Sequence, residues 1–188
     1  IGINPFNYLP RRLRFAHYHK YAYSFEVWKR IRKEDFDIIH GHGDNCFFPS
    51  LFRDKTPFIM TFHGTMKGFL SRTHAFGPRV QPTFYTERIA ALRCDIAIAC
   101  SNAVRNELIA FYRVNPSKIK VIYNGVDTYR FAPQNKNQAR KKLGLPLKNV
   151  YGIWVGTDPN SKGLSIAKSA IESFPNARLL VAGIEGEN

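Results

Sequence analysis

Three histidines follow short apolar runs, at positions where a parallel sheet would carry its chemistry. His40 and His42 lie in the string HGHGD after the run 36–39, and His63 follows the run 58–62. An imidazole titrates near neutral pH, so one at the end of a strand can donate a hydrogen bond or move a proton. Residue type alone leaves His63 as either a reacting group or, more commonly, a structural histidine.

His40 and His42 also have the H-x-H spacing of two metal ligands on one strand. The sequence shows no third or fourth ligand at a recognisable spacing, and a zinc site needs at least three protein ligands. We therefore expect no metal here, and imidazoles that are packed or hydrogen-bonded at the strand end.

A second candidate site is the string GTDPNSKG at 156–163, which joins an apolar run to a segment of helical periodicity. Such a loop can bind an anion, because the unpaired N–H groups and the positive dipole end of the helix face the ligand. Lys162 adds a mobile cation and Ser161 a cap. The string is neither a Walker loop nor G-x-G-x-x-G, so its spacing alone does not identify the anion.

The clearest unit that could position such residues runs through the middle of the chain. The run 96–100 has the length and flanks of a strand buried on both faces. Ser101 or Asn102 can cap the helix that follows, and Asn115-Pro116 ends that helix before another apolar run at 119–123. Apolar residues recur at helical spacing before the strand at Tyr85, Ile89 and Leu92, and after it at Val104, Leu108 and Phe111.

Two strands joined through a helix are parallel, and helices cover both faces of such a sheet. The sequence therefore predicts an α/β fold with a Rossmann-like, doubly wound parallel sheet. Because ligands gather at the carboxyl ends of these strands, Ser101 and the Asn124-Gly125 pair lie where chemistry is expected. The Asn-Gly pair is also typical of an ordinary turn that needs positive φ.

The flanking segments continue the alternation. Before the central unit we expect a helix with Tyr21, Phe25, Trp28 and Ile31 on one face, a strand at 36–39, a segment at 46–52 capped by Asp44 or Asn45, a strand at 58–62 and a long loop at 67–82. After it we expect a basic helix at 139–143 stopped by Gly144, a strand at 150–155, a helix carrying Leu164, Ala167, Ile171 and Phe174, and a strand at 177–182.

The order of the strings ER, CDIAIACSNAVR, KIKVIYNGVD and FAP between residues 87 and 133 resembles the retaining family-4 glycosyltransferases of the GT-B fold. The strings DIIHGHGD, TFHGT and VGTDPNSKG resemble three further elements of that family. The resemblance implies an acceptor-side domain at 1–128, a linker at 129–148 and, at 149–188, the beginning of a nucleotide-sugar domain with its first β-α-β unit. The chain is thus expected to be part of a longer protein.

The resemblance also implies an activity: transfer of a sugar, with retention, from a nucleotide-sugar donor to an acceptor hydroxyl, without a metal or cofactor. It implies His63 as the catalytic residue beside the transferred sugar. It further implies Gly156, Thr157, Lys162 and Gly163 at the donor diphosphate, and His42, Gly64, Ser101 and Asn124 at the cleft or the acceptor side. Thr157 stands where the family has an arginine, and a hydroxyl cannot make bidentate charged contacts to phosphate.

The charge of the chain predicts anionic partners. Lysine and arginine number 28 against 14 acidic residues, which gives a formal net charge of +14, and such a field concentrates phosphate-bearing ligands, acidic lipid or nucleic acid. Residues 1–25 contain no acid and interleave aromatic with basic side chains, a composition typical of a docking surface and equally of a solvated basic loop.

Two alternatives to a transferase therefore stay open: a non-catalytic module that binds nucleic acid or anionic membrane, and an inactive glycosyltransferase-like domain. The resemblance favours a nucleotide sugar and a sugar, lipid-linked or other anionic acceptor as partners, and disfavours nucleic acid.

The cysteines and the apolar runs indicate where in the cell the protein is expected. Cys46, Cys94 and Cys100 have no paired spacing, so we expect reduced core thiols and a cytoplasmic compartment. No apolar run approaches the roughly 20 residues of a membrane-spanning helix. Membrane contact would therefore be peripheral, on the inner face.

Overall fold

The computed structural model describes residues 18–73 and 81–184. The chain divides into two units, residues 1–125 and 126–188. The regular elements are α1 (Tyr18–Ile31), β1 (Ile39–His42), α2 (Phe47–Phe52), β2 (Phe58–Phe62), α3 (Met66–Thr73), α4 (Gln81–Arg93), β3 (Ile96–Ala99), α5 (Asn102–Glu107), β4 (Ile119–Val121), α6 (Lys136–Lys142), β5 (Val150–Val155), α7 (Leu164–Glu172) and β6 (Ala177–Ala182). Short 3-10 helices occupy Gly43–Cys46 and Pro116–Lys118, and a π-helix at Leu108–Tyr112 continues α5.

The described part of the first unit contains a four-stranded parallel sheet in the order β1-β2-β3-β4. The register places Ile39 opposite Phe58 and Ile59 opposite Ile96. Parallel neighbours end at the same edge of a sheet, so the residues that follow β1 and β2 lie close together. The α/β class and the parallel sheet predicted from the sequence are confirmed.

The core of this unit combines bulky strand residues with small helix residues. Met60 and Phe62 of β2 are fully buried, and so are Ala90 and Ala91 of α4 and Cys94 just after it. Small side chains let a helix lie close to its neighbours. The face of α4 that packs into the core is therefore the face with small residues, not the face with the largest apolar side chains.

The apolar stripe that predicted α4 faces outward. Tyr85, Ile89 and Leu92 are exposed by 56%, 38% and 39%. The helix itself is confirmed, but the spacing that indicated it marks the exposed face of the helix rather than the buried face. The small residues of α4 face the core, so the stripe of Tyr85, Ile89 and Leu92, which lies at a different angle around the same helix, is left facing outward.

Three expectations about bounds in the first unit were wrong. β1 begins at Ile39, whose N–H donates to the carbonyl of Pro57 (2.8 Å), so the histidines lie inside the strand rather than after it. α2 begins at Phe47 with Cys46 rather than Asn45 at its cap position and without a side-chain cap; the Asp44 side chain lies outside the described part of the structure. The last strand ends at Val121, two residues earlier than expected.

The expected loop at 67–82 is also wrong where the structure describes it. α3 begins at Met66 and ends at Thr73, and α4 begins at Gln81; residues 74–80 lie outside the described residues. The Thr65 hydroxyl accepts a hydrogen bond from the N–H of Gly68 (2.9 Å). This cap satisfies a donor in the first turn of α3 and offsets the low helix propensity of glycine.

The second unit contains β5 and β6, which pair in parallel with Val150 opposite Ala177, and α7 between them in the chain. Both strands have the bounds predicted from the sequence. α6 begins at Lys136, three residues earlier than expected, because the Asn135 side chain accepts from two N–H groups of its first turn (3.0 and 3.1 Å). α7 ends at Glu172, so it excludes Phe174, which is 63% exposed.

The cysteines are free, as predicted: Cys46 and Cys94 are buried and Cys100 is half-buried. Burial raises the pKa of the Cys94 thiol to about 11, so this group stays protonated and packs as a small apolar side chain. Within the described ranges, none of the helices combines the length and apolar character that crossing a bilayer requires.

Candidate functional site

Strands β1 and β2 bring His40, His42 and His63 together; these three residues form the histidine cluster. Side chains two positions apart on a strand share a face, which aligns the two histidines of β1. The ring centroids lie 4.8 Å apart for His40 and His42 and 5.5 Å apart for His42 and His63. All three rings are exposed, so the cluster is open to a ligand.

Hydrogen bonds fix the orientation of the rings. His40 Nε2 lies 2.7 Å from the Thr61 hydroxyl, and His42 Nδ1 lies 3.2 Å from His63 Nε2. The second contact needs a proton on one nitrogen and a lone pair on the other, so at least one of these two rings is neutral. Desolvation, with the positive charges that His40 and His63 can carry, lowers the pKa of His42. A neutral pair can both donate to and accept from a sugar hydroxyl.

Glu107 of α5 fixes the turn that carries His63. Its carboxylate accepts from the N–H and the hydroxyl of Thr65 (3.2 and 2.8 Å) and pairs with Arg72 (2.5 Å). A Cβ on Gly68 would lie 2.4 Å from the same carboxylate, so a side chain at this position would displace the carboxylate from these hydrogen bonds. The chain two residues after His63 is therefore tied to both α3 and α5.

Glu87 of α4 makes a second, more deeply buried link. It is only 6% exposed, and its carboxylate accepts from the N–H of Met66 (2.7 Å) and from the Tyr112 hydroxyl. Burial and the Glu87 charge raise the pKa of Tyr112, so the phenol stays protonated as a donor. Donors to a buried carboxylate offset the cost of removing its charge from water.

The sequence did not reveal these two carboxylates as part of the site. One signal was present: Glu87 falls at helical spacing with Ala90, Ala91 and Cys94, which form the buried face of α4. Thr65 and Glu107 are distant in sequence and meet only in the folded unit, so the sequence has no local signal for their contact.

Ser101 and Asn124 lie at the carboxyl edge but have different surroundings. The Ser101 hydroxyl accepts from the N–H of Val104 (3.2 Å) and caps α5, as predicted. Asn124 is exposed, and neither it nor Gly125 has positive φ, so the expected left-handed turn is wrong. In the described part of the chain, no hydrogen bond or ring contact joins these residues to the histidine cluster.

Hydrogen bonds within the loop at 156–163 fix its conformation. The Asp158 carboxylate accepts from the N–H groups of Asn160 and Ser161 (3.1 and 3.3 Å), and its backbone carbonyl accepts from the N–H of Lys162 (3.1 Å). Hydrogen bonds from Ser161 lower the pKa of Asp158. The loop is therefore a hydrogen-bonded turn that ends in an exposed lysine.

The start of α7 differs from the prediction. Ser161 is not its cap: the helix begins at Leu164, and Gly163 occupies the cap position with φ of 67°. Glycine adopts this left-handed conformation without the cost that a side chain would add. The Leu164 N–H donates to the Pro159 carbonyl (2.9 Å). No side chain caps the first turn, so the N–H groups of Ser165 and Ile166 stay available to an anion. Thr157 is exposed on the same loop.

Metal-ligand geometry is not found in the described residues, where no group of three His, Cys, Asp or Glu side chains could hold an ion. The structure does supply a third histidine beside the H-x-H pair, which the sequence spacing had not shown. The His42–His63 hydrogen bond occupies a nitrogen of each ring.

The model of Glycosyltransferase Family 4 matches residues 2–130, which is more than half of the chain. The chain belongs to glycosyltransferase family 4. D-inositol 3-phosphate glycosyltransferase of Mycobacterium leprae (strain Br4923) is 30% identical to this family-4 chain over 153 residues, 79% of the chain and 36% of that protein. The enzyme of the same description from Mycobacterium marinum is 29% identical over the same length and share of the chain, and 33% of that protein is covered.

Solved structures show that the fold of this family-4 chain is that of GT-B glycosyltransferases. Sucrose-phosphate synthase from Thermosynechococcus elongatus matches with a TM-score of 0.74 at 18% identity, over 95% of this chain and 44% of that chain. Anabaena HepE, in complex with UDP-glucose, matches with a TM-score of 0.64 at 18% identity, over 87% of this chain and 44% of that chain. The family-4 chain thus spans about a third of the length of its curated relatives and under half of these structures.

Proposed function

We propose that this chain is part of a retaining glycosyltransferase that moves a sugar from a nucleotide-sugar donor to an acceptor hydroxyl without a metal ion. Family membership supports sugar transfer in general. The observation that carries the donor assignment is the loop at 156–163, where an exposed lysine stands directly before a helix whose first turn has no side-chain cap. Both features attract a diphosphate.

Lys162 is the proposed electrophilic group of the donor site. When the bond between the anomeric carbon and the diphosphate breaks, negative charge grows on the departing oxygen. A positioned ammonium stabilises that charge more in the transition state than in the bound substrate, which is the condition for catalysis. Gly156, Thr157 and Gly163 would lie along the diphosphate, with Thr157 contributing a hydroxyl in place of a guanidinium.

His63 is the proposed catalytic residue beside the transferred sugar. Its ring is exposed, hydrogen-bonded to His42 and held by a turn that two carboxylates fix, so it can orient a sugar hydroxyl at little cost in entropy. A Cβ on Gly64 would meet nothing within 4 Å, which supports an accessible backbone beside it. We assign His42, Ser101 and Asn124 to the cleft or acceptor side.

The acceptor is proposed to be anionic. The curated relatives are named for D-inositol 3-phosphate, a phosphorylated polyol, and the net charge of +14 suits such a molecule or a lipid-linked one. Contact with an anionic membrane is a less favoured proposal than binding of an anionic acceptor. Lys29 pairs with Glu26 (3.1 Å) and Arg30 with Glu34 (3.7 Å), which lowers the net charge that α1 offers to lipid.

Replacing Lys162 by Ala in the full-length enzyme tests the donor assignment. We expect kcat/KM for the nucleotide sugar to fall by about 100-fold or more, the effect typical of removing one charge-stabilising group from an active site. Lys148→Ala makes the same charge change elsewhere in the second unit and should leave turnover intact. Unchanged donor kinetics in Lys162→Ala would refute the assignment.

A further inference from the structure

The indole of Trp154 lies beneath the loop at 156–163. Trp154 is the residue of β5 with the least exposure, 7%, and its Nε1–H donates to the backbone carbonyl of Lys162 (3.0 Å). A phenylalanine at this position could fill a similar space but could not donate a hydrogen bond. The ring therefore supplies the loop with a specific directional contact as well as packing.

The same ring also packs against the other end of the loop. A Cβ on Gly156 would lie 2.9 Å from Trp154 Cη2 and 3.3 Å from Lys162 Cγ. The start of the loop, the indole and the stem of the lysine are thus in close contact. Gly183 lies against the Gly156 backbone, where its own Cβ would lie 2.6 Å from the Gly156 carbonyl oxygen. Only glycines permit this approach.

The carbonyl that the indole binds stands at the last position before the α7 cap, Gly163. Its direction is coupled to the peptide plane that leads into the helix and to the side chain of Lys162 on the same residue. Fixing this carbonyl limits how the ammonium and the first-turn N–H groups can turn with respect to each other. A flexible loop would lose conformational entropy each time an anion bound, which would weaken the binding.

We propose that Trp154 is a positioning residue for the diphosphate of the donor: its indole N–H holds the Lys162 backbone so that the ammonium and the start of α7 converge on one anion. This proposal rests on the proposed function of the loop. It assigns Trp154 no contact with the substrate; its effect passes through Lys162.

Trp154→Phe in the full-length protein removes the N–H and keeps an aromatic ring. We expect the Kd for UDP and GDP, measured by calorimetry, to rise about fivefold for whichever nucleotide the wild type binds, the size of one lost neutral hydrogen bond. The donor KM should rise with it, and the acceptor KM should not change. Trp28→Phe is the matched control, because Trp28 also donates its indole N–H to a carbonyl, that of Phe52 (3.3 Å), in the first unit.

A double-mutant cycle separates positioning from packing. If Trp154 acts by placing the Lys162 ammonium, Trp154→Phe should lower nucleotide affinity by clearly less than fivefold once Lys162 is alanine. A fivefold loss that persists in the Lys162→Ala background overturns the proposal. If Lys162→Ala alone leaves binding unchanged, the function proposed for the loop fails instead.

The wild-type protein offers a readout that does not depend on a variant's folding. The indole N–H resonance of Trp154 should exchange slowly with solvent and shift when UDP or GDP saturates the protein. An indole resonance that exchanges rapidly, or that does not respond to a nucleotide shown to bind, overturns the proposal.

Discussion

The contact between His42 and His63 is the chemical feature that most distinguishes this carboxyl edge. A hydrogen bond between two imidazoles requires that one of them be neutral, and the lowered pKa of His42 favours the neutral form at physiological pH. A pair with one neutral ring can accept as well as donate a hydrogen bond. It suits recognition of hydroxyl groups, and Lys162 on the other unit supplies the cation proposed for phosphate.

The pH dependence of His42 follows from its desolvation and from the neighbouring His40 and His63. Its folded pKa lies below the usual value near 6.5, so the folded protein binds fewer protons than the unfolded chain as pH falls below 6.5. The contribution of His42 to stability is therefore complete above pH 6.5 and decreases below it. In an NMR titration the His42 midpoint should lie below 6.5, and His63→Gln should raise it by removing a neighbouring positive charge. A midpoint at or above 6.5 in the wild type contradicts this.

At the scale of elements, α4 shows how a helix can be predicted correctly and oriented wrongly. Tyr85, Ile89 and Leu92 have the spacing of a buried stripe, yet they are exposed. The buried face consists of small residues and one carboxylate, Glu87, because α4 lies close to its neighbours and contacts the turn after β2. Hydrophobicity alone cannot reveal a face whose role is close approach and hydrogen bonding.

Removing the Tyr112 hydroxyl tests the buried link between α4 and the π-helix after α5. Tyr112→Phe takes one donor from the buried Glu87 carboxylate, and we expect the free energy of unfolding to fall by about 1–3 kcal/mol. Tyr123→Phe is the control: its exposed hydroxyl contacts Asn102 (3.1 Å), and its loss should cost less than about 0.5 kcal/mol.

Urea unfolding followed by the fluorescence of Trp28 measures both effects, with Trp154 replaced by Phe in every protein so that the signal comes from the first unit. Equal costs for the two tyrosine variants would show that Glu87 does not depend on the Tyr112 hydroxyl.

At the scale of the whole molecule, the excess of basic residues suits the metal-independent reaction that we propose. The formal net charge is +14, and the two units contribute different groups to the proposed reaction: imidazoles in the first, a lysine and a helix start in the second. A field of this sign raises the local concentration of anionic substrates and weakens with salt.

Metal removal tests this view. We expect the full-length enzyme to keep its turnover, within about twofold, after dialysis against EDTA, because protein cations and N–H groups take the role that a divalent ion has in other transferases. Donor turnover is measured before and after dialysis, and again after adding Mg²⁺ or Mn²⁺. A large loss that either ion restores would contradict a metal-independent reaction.

The sequence by itself determined the α/β class, the parallel sheet, strands β2, β5 and β6 with their bounds, and a cap for α5 at Ser101 or Asn102. These features depend on local patterns: runs of apolar residues, turn residues and the parallel pairing that a crossover helix imposes. The family resemblance, confirmed by the match to residues 2–130, came from the order of such local strings.

Only the tertiary structure decided which side chains meet. The approach of His63 to His42, the two carboxylates that hold the turn at Thr65 and Met66, and the indole bound to the Lys162 carbonyl each join residues whose contact depends on how the backbone packs. The start of β1 at Ile39 was settled in the same way, by its pairing with the neighbouring strand. A one-dimensional pattern gives the period of an element; the packing of its neighbours fixes the element's rotation, its ends and the partners of its polar groups.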